Sequence, residues 1–250
     1  MADIVNQVEG YKISGSTFKV IFVKNKDLDP LEKVRFETRR KIEREIGLVI
    51  DGDVDLDKPE RMFCIMKVNG RFVFGEYFIS ESIWLKHQDK PQNYSVALGT
   101  RLARAVANIA VPNPKDIKAI DPCCGIGTVL IEALSLGIDI VGRDLNPLVL
   151  PGARENIAYF GLNCEVTLGD IREVTGNYDV AIIDMPYNLS SVLPPEVQLE
   201  MLQSARSFAK KLVVITLEPI DSVLEKAGFI IIDRCDAKKW TLTRQVIVCE

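Results

Sequence analysis

Two acidic residues, Asp121 and Asp144, each close a short apolar run in the second half of the chain. Asp121 follows Ala119–Ile120, and Asp144 comes just after Ile138–Val141. Apolar runs of this length predict buried strands, so both carboxylates would lie at strand ends. A carboxylate at the first position can bind a cation or an amine but would repel a pyrophosphate. One at the second position can accept two hydrogen bonds from a ribose diol, as acidic residues do in nucleotide-binding sheets.

A loop of small residues, Cys123-Cys124-Gly125-Ile126-Gly127-Thr128, separates the two runs. Glycine has no Cβ, so the backbone of such a loop can approach a ligand closely. A dinucleotide site would need Gly-x-Gly-x-x-Gly, and the third glycine is absent here. S-adenosylmethionine (SAM) carries a sulfonium, an ammonium and a ribose diol but no phosphate. The charge pattern therefore favours SAM over NAD as the ligand.

A second group of chemically useful residues is Asp184-Met185-Pro186-Tyr187, which follows a predicted strand beginning at Val180. Ligands of open α/β sheets bind outside the carboxyl ends of the strands, so this group should lie beside the glycine loop. Pro186 favours an extended Met185, which turns its carbonyl into the cleft. A carboxylate, an oriented carbonyl and an aromatic ring suit methylation of an exocyclic amine on an extruded base. An isolated match of this kind would be an ordinary turn, but its pairing with the glycine loop favours chemistry.

The elements that must position these groups alternate between strand and helix from Lys115 onward. Such alternation predicts a mainly parallel sheet with helices on both faces, the Rossmann-like arrangement of class I methyltransferases. The expected helices are Val129–Leu136, Pro151–Phe160, Pro195–Ala209 and Asp221–Ala227. The expected further strands are Cys164–Leu168, Val180–Asp184 and Lys211–Leu217, closed by an antiparallel pair, Phe229–Cys235 with Thr241–Cys249.

The sequence pattern of residues 1–83 predicts a smaller α+β module. Its expected elements are a strand Phe18–Val23, an amphipathic helix Leu31–Ile46 ended by Gly47, and strands Val49–Ile50, Met62–Val68 and Arg71–Phe78. Asn69-Gly70 between the last two strands is a strong two-residue hairpin signal. Residues 84–114 are expected to form a linker followed by a helix, Val96–Ala110, so that the methyltransferase domain would span residues 115–250.

Charge is uneven along the chain although the net charge is only −4. Through Lys115 there are 19 Lys and Arg against 16 Asp and Glu, and the remainder has 12 against 19. A polyanionic partner should therefore meet the N-terminal part first. The positions expected to contact RNA are Arg39, Arg40, Lys86, His87 and Lys90. His87 is expected to make a surface contact with RNA rather than to take part in catalysis.

Composition describes an ordinary globular protein, with 47% hydrophobic and 26% charged residues. No apolar run approaches the roughly 20 residues that span a bilayer, so we expect a cytoplasmic protein without a membrane segment. Six cysteines show no Cys-x-x-Cys spacing and there is a single histidine, so no metal site is expected.

Residues 84–217 resemble the THUMP-associated tRNA guanine-N2-methyltransferases. The resemblance is carried by four segments of this sequence: KPQNYSVALGTRLARAVANIA, DPCCGIGTVLIEAL, VGRDLNP and DMPY. It implies a Rossmann-like fold, SAM as methyl donor and tRNA as partner. Met185 stands where the family usually has proline. The residues before the linker resemble only the later part of the family's N-terminal THUMP region.

The resemblance also implies roles for individual residues. Tyr94 and Ser95 would flank the methionine end of SAM, Asp144 and Leu145 would hold the ribose, and Asp170 and Ile171 would border the adenine. The loop around the donor would comprise Asp121, Cys123, Gly125, Gly127 and Thr128. The catalytic group would be Asp184, Met185, Pro186 and Tyr187.

Three other functions stay open on the residues alone. Methylation of adenine N6 and of a protein glutamine both use related motifs, although an asparagine would suit the glutamine amide better than Asp184 does. A catalytically silent RNA-binding protein is the third. The acidic residues Asp121, Asp144, Asp170 and Asp184 argue against it, since a lapsed site has no physical reason to keep four carboxylates.

Overall fold

The chain divides into two compact units, residues 1–81 and residues 82–250, in the computed structural model. The structure describes residues 2–24, 33–79, 81–94, 97–186, 193–239 and 242–250. Within these ranges no helix combines the length and the apolar composition that a membrane crossing requires.

The first unit is a four-stranded sheet with helices packed against it. Its elements are α1 (Ala2–Val8), β1 (Lys12–Val23), α2 (Phe36–Val49), β2 (Asp51–Val54), β3 (Arg61–Val68) and β4 (Arg71–Glu76). The strand order is β2-β1-β3-β4, with β1 parallel to both of its neighbours and β3 antiparallel to β4. The core includes Phe18, Ile46, Phe63 and Ile65, all nearly inaccessible.

The predicted hairpin is confirmed at Asn69-Gly70, where both residues have positive φ and Val68 pairs with Arg71. The helix before it was placed too early. Residue 35 is extended, α2 begins at Phe36, and residues 31 and 32 lie outside the described part. The helix also continues through Gly47 to Val49, because burial of Ile46 and Ile50 holds this turn against the core. The strand predicted at Val49–Ile50 is therefore wrong.

The second unit is a seven-stranded, mainly parallel sheet covered by helices on both faces. Its strands are β5 (Lys118–Asp121), β6 (Asp139–Asp144), β7 (Val166–Leu168), β8 (Tyr178–Asp184), β9 (Ala209–Thr216), β10 (Ile231–Lys239) and β11 (Leu242–Cys249). Its helices are α3 (Ile83–Lys86), α4 (Thr100–Ala110), α5 (Thr128–Leu134), α6 (Leu150–Tyr159), α7 (Pro195–Phe208) and α8 (Asp221–Lys226). The order is β10-β11-β9-β8-β5-β6-β7, and β11 runs antiparallel to both of its neighbours, β10 and β9. The predicted α/β fold is confirmed.

Strand residues alternate between two separate cores. Ala119, Ile140, Ile182, Ile215 and Val246 pack with α4, α5 and α6 on one face. The residues next to them, such as those at 120, 183 and 214, pack with α7 and α8 on the other face. Because side chains of a strand alternate in direction, this parity also tells which face each residue at a strand end occupies.

Several boundaries differ from the sequence-based expectation. The helix predicted from residue 96 begins at Thr100, because Gly99 is extended and a glycine is unfavourable inside a helix. Residues 84–91, predicted as a linker, form α3 and a single 3-10 turn at His87–Asp89 within the second unit. Phe229, predicted in a strand, precedes β10 and is buried against α7 and α8.

Candidate functional site

Three carboxylates lie at the carboxyl ends of adjacent parallel strands, on one face of the sheet. Ala119 pairs with Val180, so Asp184 on β8 extends two residues beyond the level of Asp121 on β5. Asp121 itself pairs with Gly142, so Asp144 also extends two residues beyond it on β6. All three have the parity of the strand residues that pack against α4 and α5. The structure thus brings together the acidic residues that the sequence singled out.

The glycine loop is tied to these carboxylates through its backbone. The amide of Gly125 donates to Asp144 Oδ2 at 2.7 Å, and the amide of Asn146 donates to the other oxygen of Asp144 at 2.8 Å. Gly125 and Gly127 have φ of 53° and 81°, which favours glycine at both positions. Asp144 therefore holds the loop in place, while each of its oxygens keeps a second lone pair for a ligand.

A cleft opens above this edge of the sheet and has two lobes. The first encloses about 140 Å³ beside Asp121, Thr128 and Met185, and the second about 420 Å³ beside Asp144 and Asp170. Residues that line both lobes are Tyr94, Cys123, Gly125, Asp184 and Pro186. The cleft therefore joins the residues predicted to bind the donor with those predicted to act on the acceptor.

The first lobe is strongly acidic and poorly solvated. Burial raises the pKa of the Asp121 carboxyl well above its usual range, although the Cys123 amide opposes the rise, and Asp144 and Asp184 raise this pKa further. Burial also raises the pKa of Asp184 to about 6, against the opposing effect of Arg244. Burial and the same carboxylates raise the pKa of the Cys123 thiol, which disfavours a reactive thiolate there. A cationic ligand would relieve the repulsion between these carboxylates.

Two residues that line the first lobe each have a buried side-chain oxygen with no hydrogen-bond partner among the described residues. The oxygens are Oγ1 of Thr128, in the first turn of α5, and Oδ1 of Asp184. Buried polar atoms are rarely left unpaired, because losing water without a replacement costs about 1–3 kcal/mol. Both residues are thus candidates to bond with a ligand in this lobe.

Asp170, predicted to border the adenine, lines the second lobe but is already paired. Its carboxylate accepts from Arg172 Nη2 at 2.6 Å, and Arg172 also reaches Glu200 at 2.8 Å. The hydrogen bond from Arg172 lowers the pKa of the Asp170 carboxyl. Ile171 next to it is buried and lines the same lobe, as does the exposed Leu145.

The structure contradicts two of the five positions predicted to contact RNA. His87 is only 5% exposed: its Nδ1 lies 2.7 Å from Glu132 Oε1, and its ring packs edge-on against Phe160. Lys90 is buried nearby, where burial lowers its pKa while Glu132 raises it. The helical pattern of α5 places Glu132 on its buried side. A buried carboxylate needs a cationic or hydrogen-bonding partner, so an acidic residue within this apolar helix was the signal that the prediction missed.

The other three predicted positions remain at the surface. Lys86 is exposed in the second unit, and Arg39 and Arg40 lie over the exposed ring of Phe36 in the first, each at 5.4 Å. Arg40 also pairs with Glu43 at 3.0 Å. Ser95 and Tyr187 lie outside the described residues, so their predicted roles stay predictions.

Sequence reasoning also missed Asn156, a fully buried residue on α6. Its Oδ1 accepts from the Gln92 amide at 2.8 Å, and its Nδ2 donates to the carbonyls of Gln92 and Ile126, both at 3.0 Å. These bonds join the segment before Tyr94 to the glycine loop. An asparagine one helical turn after Ala153, on the apolar stripe of the helix, was the available signal.

Comparison with known proteins points to one family. The profile described as "Methyltransferase domain" matches residues 113–248. A tRNA (guanine(10)-N2)-dimethyltransferase of Methanothermobacter thermautotrophicus is 31% identical over 67% of this chain and 54% of its own length. A protein of the same name from Pyrococcus abyssi is 28% identical over 78% of this chain and 64% of its own length. The chain thus spans between about half and two thirds of the length of these relatives.

Solved structures show the same fold. The crystal structure of TrmN from Thermus thermophilus aligns with a TM-score of 0.58 at 22% identity, covering 95% of this chain and 73% of that one. A putative RNA methyltransferase from Pyrococcus horikoshii aligns with a TM-score of 0.57 at 16% identity, covering 68% of this chain and 98% of that one.

Proposed function

The chain belongs to the methyltransferase domain family, and from this premise we propose that it transfers a methyl group from SAM to the exocyclic N2 amine of a guanosine in tRNA. Its relatives named as tRNA guanine-N2-dimethyltransferases support the choice of acceptor. The proposal also places the reaction in the cytoplasm.

The observation that carries the proposal is the group of desolvated carboxylates at one end of the sheet. Asp121 is 3% exposed and shares the cleft with Asp144 and Asp184, and no described cation lines the first lobe. Such a site favours a positively charged ligand and disfavours a phosphate. SAM supplies an electrophilic methyl group on a sulfonium and also carries an ammonium. The charge of the cleft residues therefore supports SAM as the ligand, in addition to the support from the fold.

Donor binding is assigned to the residues around the glycine loop. Asp121 would face the positive charge of the donor, and Thr128 Oγ1 would gain the hydrogen bond that it lacks among the described residues. Asp144 would accept hydrogen bonds from the ribose hydroxyls with its remaining lone pairs. Tyr94, which lines both lobes, would cover the donor from the side opposite the loop.

Acceptor chemistry is assigned to Asp184 and the residues after it. An exocyclic amine of guanine is a weak nucleophile, because its lone pair is delocalised into the ring. A hydrogen bond from the amine to Asp184 Oδ1 would orient the nitrogen and favour its pyramidal form. With a pKa of about 6, this oxygen can also take up the proton that the amine loses on methylation. Met185 is buried and donates its amide to the Ile215 carbonyl at 2.9 Å, which holds the motif at the end of β8.

RNA docking is assigned to the exposed cations Arg40 and Lys86 and to the half-buried Arg39, with binding that weakens as salt rises. The proposed resemblance of the first unit to part of a THUMP domain gives a reason for an RNA surface there. Tyr187 would stack on the extruded base.

The test is nucleoside mass spectrometry of tRNA incubated with the protein and isotopically labelled SAM. Labelled N2-methylguanosine or N2,N2-dimethylguanosine is the expected product, and Asp184→Asn is the matched control for contaminating enzymes. Label in N6-methyladenosine or in protein glutamine would replace guanosine with one of the alternative acceptors. SAM binding without any transfer to RNA or protein would favour the silent RNA-binding reading.

A further inference from the structure

A buried cation, Arg244, lies on the same face and at the same end of the sheet as Asp184. Val246 on β11 and Asp184 on β8 both pair with Ile215 on the intervening strand β9. Arg244 is two residues before Val246, and because β11 is antiparallel, it lies beyond this row toward the carboxyl edge. Two interstrand spacings, about 9–10 Å, separate the backbones of β8 and β11.

Strand parity puts both side chains on the face that α4 covers. Ile182 and Asp184 share a parity on β8, as do Arg244 and Val246 on β11, and Ile182, Ile215 and Val246 belong to one core. Arg244 is only 7% exposed. A buried guanidinium has lost its hydration, so its attraction for a carboxylate nearby is much stronger than it would be at the surface.

We propose that Arg244 is a positioning residue that keeps the Asp184 carboxylate ionised and directed into the cleft. This role rests on the proposed function, because an ionised Asp184 matters only if it accepts a hydrogen bond from the acceptor amine. Arg244 lines neither lobe of the cleft, so it acts through Asp184 and not on the substrate.

Other polar and acidic groups surround Asp184. From β5 and its loop, Asp121 and Cys123 face Asp184, and Asp144 adds a further negative charge from β6. Tyr94, in the segment before α4, lines both lobes of the cleft. Burial favours a protonated Asp184, and the guanidinium of Arg244 lowers the pKa of this carboxyl against that effect.

A titration of the Asp184 carboxyl tests the proposal without requiring catalysis. Protein with ¹³C-labelled aspartate would be followed by NMR, with the resonance assigned by Asp184→Asn. In Arg244→Gln the midpoint should rise by about half a pH unit or more, and Arg244→Lys should restore most of the shift because it keeps the charge. Arg244→Met keeps the apolar stem without the charge and serves if the glutamine variant does not fold. Arg234→Gln, which removes an exposed arginine from the neighbouring strand β10, should leave the midpoint unchanged.

Methyl transfer supplies the second readout. The acidic limb of the single-turnover rate should move to higher pH by the same amount in Arg244→Gln, with SAM affinity at pH 8 unchanged. A folded Gln or Met variant with an unshifted Asp184 midpoint would overturn the proposal, whatever its activity. If wild-type protein methylates no RNA and the midpoint still shifts, the proposed function fails while the effect of Arg244 on the charge of Asp184 stands.

Discussion

Replacing Asn156 with alanine should lower both the stability of the second unit and its affinity for SAM, although this residue is not expected to contact the ligand. The substitution removes three hydrogen bonds: one from the Gln92 amide and two to the carbonyls of Gln92 and Ile126. Each is worth about 0.5–1.5 kcal/mol, so their loss alone should cost about 3 kcal/mol of unfolding free energy. The side chain is fully buried, so the backbone groups left behind would be poorly solvated and the cost would not fall much below this value.

Two measurements separate stability from function. Chemical denaturation should show the second unit destabilised by about 3 kcal/mol, and calorimetry on the folded variant should show weaker SAM binding because Tyr94 and the glycine loop are no longer tied together. Asn108→Ala is the matched control: it is exposed, its side chain bonds only within its own helix, and it should cost less than about 1 kcal/mol. An Asn156→Ala protein as stable as wild type, with unchanged SAM affinity, would refute this account of the loop.

Further predictions concern the cleft. Thr128→Val should weaken SAM binding about fivefold without lowering stability, because Oγ1 has no described partner to lose. Thr167→Val on β7 is the control. An unchanged SAM affinity of the Thr128→Val protein would show that Thr128 does not belong to the donor site. Asp144→Ala should weaken SAM binding by about 1.5–3 kcal/mol, which calorimetry on the folded variant would measure. Binding of cationic SAM should lower the raised pKa of Asp184, which is about 6, and so release protons near that pH, visible as buffer-dependent binding enthalpies. Proton uptake would contradict this sign.

Fold class and the acidic cleft were predictable because both follow from local signals. Apolar runs closed by Asp121, Asp144 and Asp184 mark strand ends, and the carboxyl ends of parallel strands meet at one edge. The same segments carried the family resemblance, which the relatives and the domain profile confirm. These inferences needed only the order of elements along the chain.

Features that depend on three-dimensional neighbours were missed. His87 looked like a surface residue because its own segment is polar and aromatic, while its partner Glu132 lies 45 positions away. The proposed roles of Arg244 and Asn156 depend on contacts with strands and loops that are far away in the sequence. The helix boundary near Gly47 also depended on packing, because α2 continues through this glycine to Val49.

The central claim is that Asp184 prepares the acceptor amine in a cleft whose other carboxylates hold the donor. Single-turnover methyl transfer to tRNA by Asp184→Asn, with SAM affinity measured on the same preparation, tests it most directly. We expect SAM affinity within about twofold of wild type and a transfer rate lowered at least about a hundredfold, because the amide cannot take the proton or accept as strong a hydrogen bond. Near-normal transfer by the folded Asp184→Asn protein would contradict the claim.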